Sequence, residues 1–225
     1  MQTLEASAVG MRGSLRGAFF FVGWSDHFFG SPMEMHTLLS DAIAELSQWT
    51  LGPPKAKNGQ MAISSITGKN GWPVVQLVPR DRAGSVYTPF EPSVFRGTGG
   101  EPRKGPRKGI LFTVPQDVLD DLRAIENWAK ASDLGATWHS AIKEPGAFAG
   151  SIKAKINCSG PNACSIVDMD GKPIKWPESW ARLPVIPIIE VRGVYIQKTG
   201  SGLILDVTHL MVGETEPEPK ECQFL

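Results

Sequence analysis

The stretch LPVIPIIEVRGVYIQKTGSGLILDVTHLMV, residues 183–212, decides the fold. It is the longest apolar, β-branched run in the chain. It breaks once, at Thr199-Gly200-Ser201-Gly202, residues that suit a tight reversal needing positive φ. The stretch therefore reads as a long β-hairpin. On its second arm Leu203, Leu205 and Val207 share one face, with Asp206 and Thr208 on the other. On the first arm Ile189 and Val191 point one way, and after Gly193 the apolar set switches to Val194 and Ile196. One extra residue produces such a switch, so Gly193 is expected at a bulge or sharp bend. Strongly bent long strands are what small closed barrels use. Ile189, Val191, Leu203, Leu205 and Val207 are then the expected barrel core.

The rest of the chain supplies smaller elements. Ser31, Pro32 and Glu34 make a helix start, and Met35, Leu38, Leu39, Ala42, Leu46 and Trp49 repeat at helical spacing, which predicts a helix over 31–50. Gly52-Pro53-Pro54 ends it, so residues 1–54 read as an N-terminal extension and 55–70 as a linker. Strands are expected over 72–78, 86–90, 110–114, 149–158 and 163–167. Residues 96–109, rich in Gly, Pro and basic side chains, read as a loop. A second helix is expected over 115–131. Thr113 and Gln116 form its capping box, Asp117, Asp120 and Asp121 lie in its first turns, and Val118, Leu122, Ile125 and Ala129 form the buried stripe. A loop over 173–184 holds Trp176 and Trp180. Residues 71–212 thus form one β-rich domain, followed by an acidic, disordered tail over 213–225.

Charge is unevenly placed on a chain of 225 residues with zero formal net charge. Residues 55–113 hold ten basic against three acidic side chains, whereas 213–225 hold one against four. A basic region of this kind meets a polyanion, and an acidic tail can compete for it. Cys158, Cys164 and Cys222 are odd in number without metal-type spacing, which points to a reduced, intracellular chain. The run Ala18–Trp24, after Arg12 and Arg16, is too short to span a bilayer but leaves an organelle-targeting N-terminus open.

Catalytic signatures are absent from the sequence. The glycine-rich loop lacks the GxxxxGK pattern of a phosphate loop and the third glycine of a dinucleotide fingerprint. His27, His36, His139 and His209 are scattered, Asp168 and Asp170 fit a turn, and no nucleophile–base pair is legible, so neither enzyme activity nor a metal or cofactor is expected. What remains is a mixture of basic and aromatic residues on strands and loops. A cationic groove that follows phosphates, lined by rings that stack bases, is the chemistry of single-stranded nucleic-acid binding. The candidates for phosphate contact are Arg80, Arg82, Arg96, Arg103, Lys104, Arg107, Lys108, Lys153, Lys155, Arg192 and Lys198. Those for stacking are Tyr195, Trp176, Trp180, Phe90 and Phe95.

The order of parts from Trp72 onward resembles the single-stranded DNA-binding proteins of T7-like phages and their relatives in large DNA viruses. The resemblance runs through Tyr87-Thr88-Pro89-Phe90, Phe112-Thr113-Val114-Pro115 and the long helix. It continues through Ile152-Lys153-Ala154-Lys155-Ile156, the segment Val167–Ile174, the hairpin, and an acidic tail with a terminal aromatic. It implies an α+β fold, an OB-fold-like closed β-barrel with one long inserted helix; the N-terminal helical extension comes from the helix signals at 31–50 and has no counterpart in the resemblance. The resemblance implies a non-catalytic protein that coats single strands in replication, recombination or repair, in the nucleus or at a viral replication site. It also implies homodimers and a tail, here Glu214, Glu216, Glu218, Glu221 and Phe224, that contacts replication proteins. No membrane partner is implied. An RNA-binding module on the same barrel and a structural or assembly β-barrel protein stay open as alternatives.

Overall fold

The structure is a computed structural model describing residues 37–59, 61–80, 85–94, 105–132, 137–144, 146 and 149–213. The sequence elements over 1–36 and 214–225, and Arg82, Phe95, Arg96, Arg103 and Lys104, lie outside the described residues. The chain is α+β and mostly β. Its elements are β1 (Thr37–Leu38), α1 (Leu39–Ala44), β2 (Thr50–Leu51), β3 (Lys55–Asn58), β4 (Met61–Thr67), β5 (Val74–Gln76), β6 (Tyr87–Thr88), β7 (Ser93–Val94) and β8 (Arg107–Thr113). They continue with α2 (Gln116–Lys130), β9 (Ile142–Lys143), β10 (Ser151–Asn157), β11 (Ser165–Asp168), β12 (Leu183–Gln197) and β13 (Gly200–Val212).

The hairpin forms as β12 against β13, paired from Val185↔Val212 to Gln197↔Gly200. The pairing slips between Val191 and Gly193, where the sequence pattern switches faces. Gly193 has φ +154, and a Cβ there would overlap the Ser64 carbonyl of β4. A second slip, between Ile188 and Ile189, has no sequence signal. Ile189, Val191, Val194, Leu203, Leu205 and Val207 all point inward and are buried. The reversal itself differs from the expectation. It falls at Lys198-Thr199, and Gly200 and Gly202 belong to β13. They are glycines for another reason: residues 137–139 lie directly on them. Ser201 N–H donates to the Thr137 carbonyl at 2.9 Å and accepts at its own carbonyl from His139 N–H at 2.7 Å. A Cβ on Gly202 would stand 2.5 Å from the His139 carbonyl oxygen.

The pairings run β6–β8–β10–β13–β12 and back to β6. In chain order these five strands are first, second, third, fifth and fourth, and the one parallel pair among them joins the third and fifth. β8 starts earlier than expected, because Arg107, Lys108 and Gly109 pair with Asn157, Ile156 and Lys155. The core is built from Ile110, Phe112, Ile152, Ile156 and the hairpin, capped by Val118, Leu122, Ile125 and Ala129 of α2. The helix begins after Pro115 with no side-chain cap, so the Thr113–Gln116 capping box does not form. Thr113 stays in β8 opposite Ser151, and Gln116 donates to Asp120 at 2.8 Å.

Residues 37–51 pair with the same sheet, β1 with β5 and β2 with β4, and α1 packs on α2. The helix expected to reach residue 50 ends at Ala44, with a 3₁₀ turn at Leu46–Gln48. Trp49 then takes an extended backbone and meets Trp128 edge-on, with centroids 5.9 Å apart. The stretch read as a linker holds β3 and β4, and β4 lines the distal half of β12. No helix among the described residues is long and apolar enough to cross a membrane.

The glycine contacts yield a test with an internal control. Gly193→Ala and Gly202→Ala should each cost about 1–3 kcal/mol in urea denaturation, the range for inserting a methyl where backbone must yield. Gly105→Ala, where the added methyl would meet nothing within 4 Å, should change stability by less than about 0.5 kcal/mol.

Candidate nucleic-acid interface

Strand periodicity sorts β10 cleanly. Ile152, Ala154 and Ile156 are buried, while Lys153, Lys155 and Asn157 face outward. The β8 residues opposite these three are Leu111, Gly109 and Arg107. Gly109 leaves the stem of Lys155 without a bulky side chain across from it. β13 continues the row, since Asp206 lies beside Lys155 in parallel register, and Glu190 of β12 lies opposite Asp206. The outward face therefore runs from β8 through β10 and β13 to β12.

Its centre is a carboxylate. Asp206 is only 6% exposed. Arg107 donates from Nη2 to one of its oxygens, and Arg192 donates from Nη1 to the other at 3.2 Å. Arg192 Nε also lies 3.4 Å from Glu190. The Arg192 guanidinium lies over the ring of Trp72, its Cζ 4.4 Å from the ring centroid. Trp72 is 46% exposed and follows a tight turn in which Gly68 and Gly71 exchange backbone hydrogen bonds. Four cations, Arg107, Lys153, Lys155 and Arg192, thus share this face with two carboxylates, Asp206 and Glu190.

The electrostatics follow from burial. Glu190 is held above the ordinary carboxylate range, first by burial and then by Asp206, against the pull of Arg192. Lys153 is held below the usual lysine range by burial and by the neighbouring Lys143. Tyr195 is pushed up by burial and by Glu126. The Cys164 thiol is pushed up to about 12 by burial and Cys158, and burial also raises Cys158. No group of three His, Cys, Asp or Glu side chains able to hold a metal occurs among the described residues.

Other residues singled out by the sequence sit elsewhere. Arg80 is committed to α2: its guanidinium binds Asp121 and its N–H donates to Asp117 at 2.7 Å. Lys108 alternates to the Ile156 side of β8, close enough to Cys158 to oppose the rise of that thiol. Trp176 packs on Trp180 with centroids 5.3 Å apart, and Trp180 is buried with its carbonyl accepting from Thr88. Phe90 is 55% exposed beyond β6, and Lys198 is exposed in the hairpin turn. Tyr195 lies on the outward side over Gly202, half-buried, its hydroxyl 3.3 Å from His139 Nδ1. The four tail glutamates and Phe224 lie outside the described residues. Trp72, Glu190 and Asp206 have no sequence signal as site residues; Asp206 finds Arg107 across ninety-nine positions of chain.

No protein-family model matches the chain, and no curated protein matches it. Among solved structures it is similar to gp2.5, a single-stranded DNA binding protein encoded by bacteriophage T7, with a TM-score of 0.46 at 14% identity, over 69% of this chain and 99% of that one.

Two tests address the carboxylates. Asp206→Asn leaves two guanidinia with an amide where each had a charge, and should lower stability by about 1–3 kcal/mol in urea denaturation. Glu190 binds its proton more tightly folded than unfolded, so its contribution to stability is full below the ordinary carboxylate pKa and is lost as pH rises through the raised one. Glu190→Gln cannot titrate. Its stability relative to wild type should therefore be greater at pH 7 than at about pH 4, and a difference independent of pH would contradict the raised carboxyl.

Proposed function

We propose that the chain binds single-stranded DNA with little sequence preference, along the outward face of β8 and β10, on a β-barrel of OB type. The observation that carries this reading is the alignment of Arg107, Lys153 and Lys155 on neighbouring strands, with Arg192 continuing the row. The order first, second, third, fifth, fourth and back to first supports the barrel. In OB folds the face of the second and third strands, flanked by the connections between strands one and two and strands four and five, binds oligonucleotides. Here those strands are β8 and β10. In sequence, the connection before β8 carries Arg96, Arg103 and Lys104, and the turn between β12 and β13 carries Lys198.

The mechanism is electrostatic. Each phosphate neutralised by a Lys or Arg releases condensed counterions, which gives affinity without reading sequence. Lys153 and Lys155, neighbours on the same face of one strand, track a backbone rather than fork onto a base edge. The reading is of a non-catalytic binding protein, acting where DNA is replicated, recombined or repaired. Homodimer formation and partner contact through Glu214, Glu216, Glu218, Glu221 and Phe224 belong to the same proposal.

Fluorescence anisotropy of a labelled oligonucleotide at several salt concentrations tests it. Single strand should bind at low salt and duplex should bind more weakly. Lys153→Gln with Lys155→Gln should weaken binding and reduce the slope of log affinity against log salt by about 1.4, for two phosphates lost from a single strand. Wild-type affinity in the double variant would remove this face, and equal duplex binding would remove the single-strand preference. Competition by a matched RNA strand decides between the sugars, since phosphate contacts and ring stacking serve both.

A further inference from the structure

We propose that Trp72 is a nucleobase-stacking platform, held in place by Arg192 acting as a positioning residue through Asp206 and Glu190. The proposal rests on the nucleic-acid reading above and assigns the subsite that takes a base rather than a phosphate. The Trp72 ring has one face covered by the Arg192 guanidinium at 4.4 Å, and the residue stays 46% exposed. A large aromatic left this open on an otherwise charged face is available to a flat, apolar ligand surface.

The ring is anchored along the chain on both sides and from beneath. Before it, Gly71 at φ +109 closes the turn, with Gly68 N–H donating to the Gly71 carbonyl at 2.7 Å. After it, Pro73 restricts the backbone of Trp72 to extended conformations. The Pro73 carbonyl in turn accepts from Val191 N–H at 2.8 Å. Beneath it, Arg192 is held at 3.2 Å by Asp206 and 3.4 Å by Glu190, and Asp206 is itself fixed by Arg107. A guanidinium with its donors committed to carboxylates is held in place under the ring it meets. The ordering cost of presenting the indole is therefore met in the free protein, which is what preorganised stacking requires. Arg107, Lys155 and Lys153 lie along the same outward face, so a strand held there by its phosphates can turn a base toward Trp72.

The test uses the full chain and two labelled probes of equal length: an oligothymidylate, and the same backbone with abasic sites in place of the bases. Trp72→Ala should lower affinity for the oligothymidylate about tenfold. It should leave the abasic affinity and the salt slope within about twofold, because no phosphate contact is lost. Trp72→Phe should restore most of the preference for bases. Asp206→Asn should separate the probes in the opposite sense from a folding defect. The abasic strand binds more tightly because a negative charge is gone, while the ratio of base-bearing to abasic affinity falls because Arg192 is released from beneath the ring. If Trp72→Ala keeps the wild-type preference for bases, or weakens both probes equally, the platform is wrong while the cationic face stands. If the wild-type protein binds neither probe, the nucleic-acid reading fails and the platform with it.

Discussion

The close approach of Gly193 to the Ser64 carbonyl is the constraint on which the outward face depends. A strand alternates its side chains with a period of two, so residues 190, 192 and 195 cannot all project to one side of a regular β12. The slip in pairing between Val191 and Gly193 inserts the extra residue. Upstream of it Glu190 faces Asp206, and downstream Tyr195 lies over Gly202, while Val191 and Val194 both stay in the core. Arg192, displaced at the bulge, turns onto Asp206 and Trp72. Only glycine permits the required φ and the contact with β4 together. A side chain there would press on the backbone of β4 and, through it, on the parity of every residue beyond.

A buried carboxylate in the middle of a cationic face looks at first like a defect in a surface proposed to meet a polyanion. Its partners explain it. Arg107 and Arg192 are long side chains with many rotamers, and holding each in one conformation costs entropy. Asp206 orders both, at the cost of one unit of positive charge. Glu190 adds a second carboxylate whose ionisation is opposed by burial and by Asp206 and favoured by Arg192. Lys153 and Lys155 face outward on the strand beside this network. Rigidity is thus concentrated in the arginines beside the indole, and the lysines extend the positive charge along β10.

The apolar part of this fold was legible in the sequence because it is periodic. The hairpin core, the stripe of α2 and the alternation of β10 each follow from spacing, and Gly193 stood out because the spacing broke there. The glycines at 200 and 202 show the limit of that logic. A glycine marks either a turn or a close approach, and only the position of residues 137–139 decides that these two serve the second purpose. Charge was legible as composition but not as place. Arg80 and Arg107 are alike in the sequence, yet one meets Asp121 on α2 and the other meets Asp206 on β13. Trp72 read as an ordinary strand residue because its exposure depends on a turn four residues back and on an arginine 120 positions away.

The position of Trp72 and the bulge in β12 are one event. β4 runs antiparallel along residues 197 to 193 of β12, and β5 resumes the same course along residues 190 to 188. Between them the partner strand leaves β12, and Ile66 and Thr67 pair with Leu51 and Thr50 of β2 instead. The chain reverses at the Gly68–Gly71 turn and rejoins β12 at Pro73, whose carbonyl takes the N–H of Val191. The departure and the return both fall at the bulge, where β12 has an irregular hydrogen-bonding edge that a continuous partner could not satisfy. The residue just before the chain re-enters the sheet at this break is Trp72, and the side chain that the bulge displaces is Arg192. The stack between them follows from how a long, bent strand finds partners for its backbone on both sides of a single extra residue.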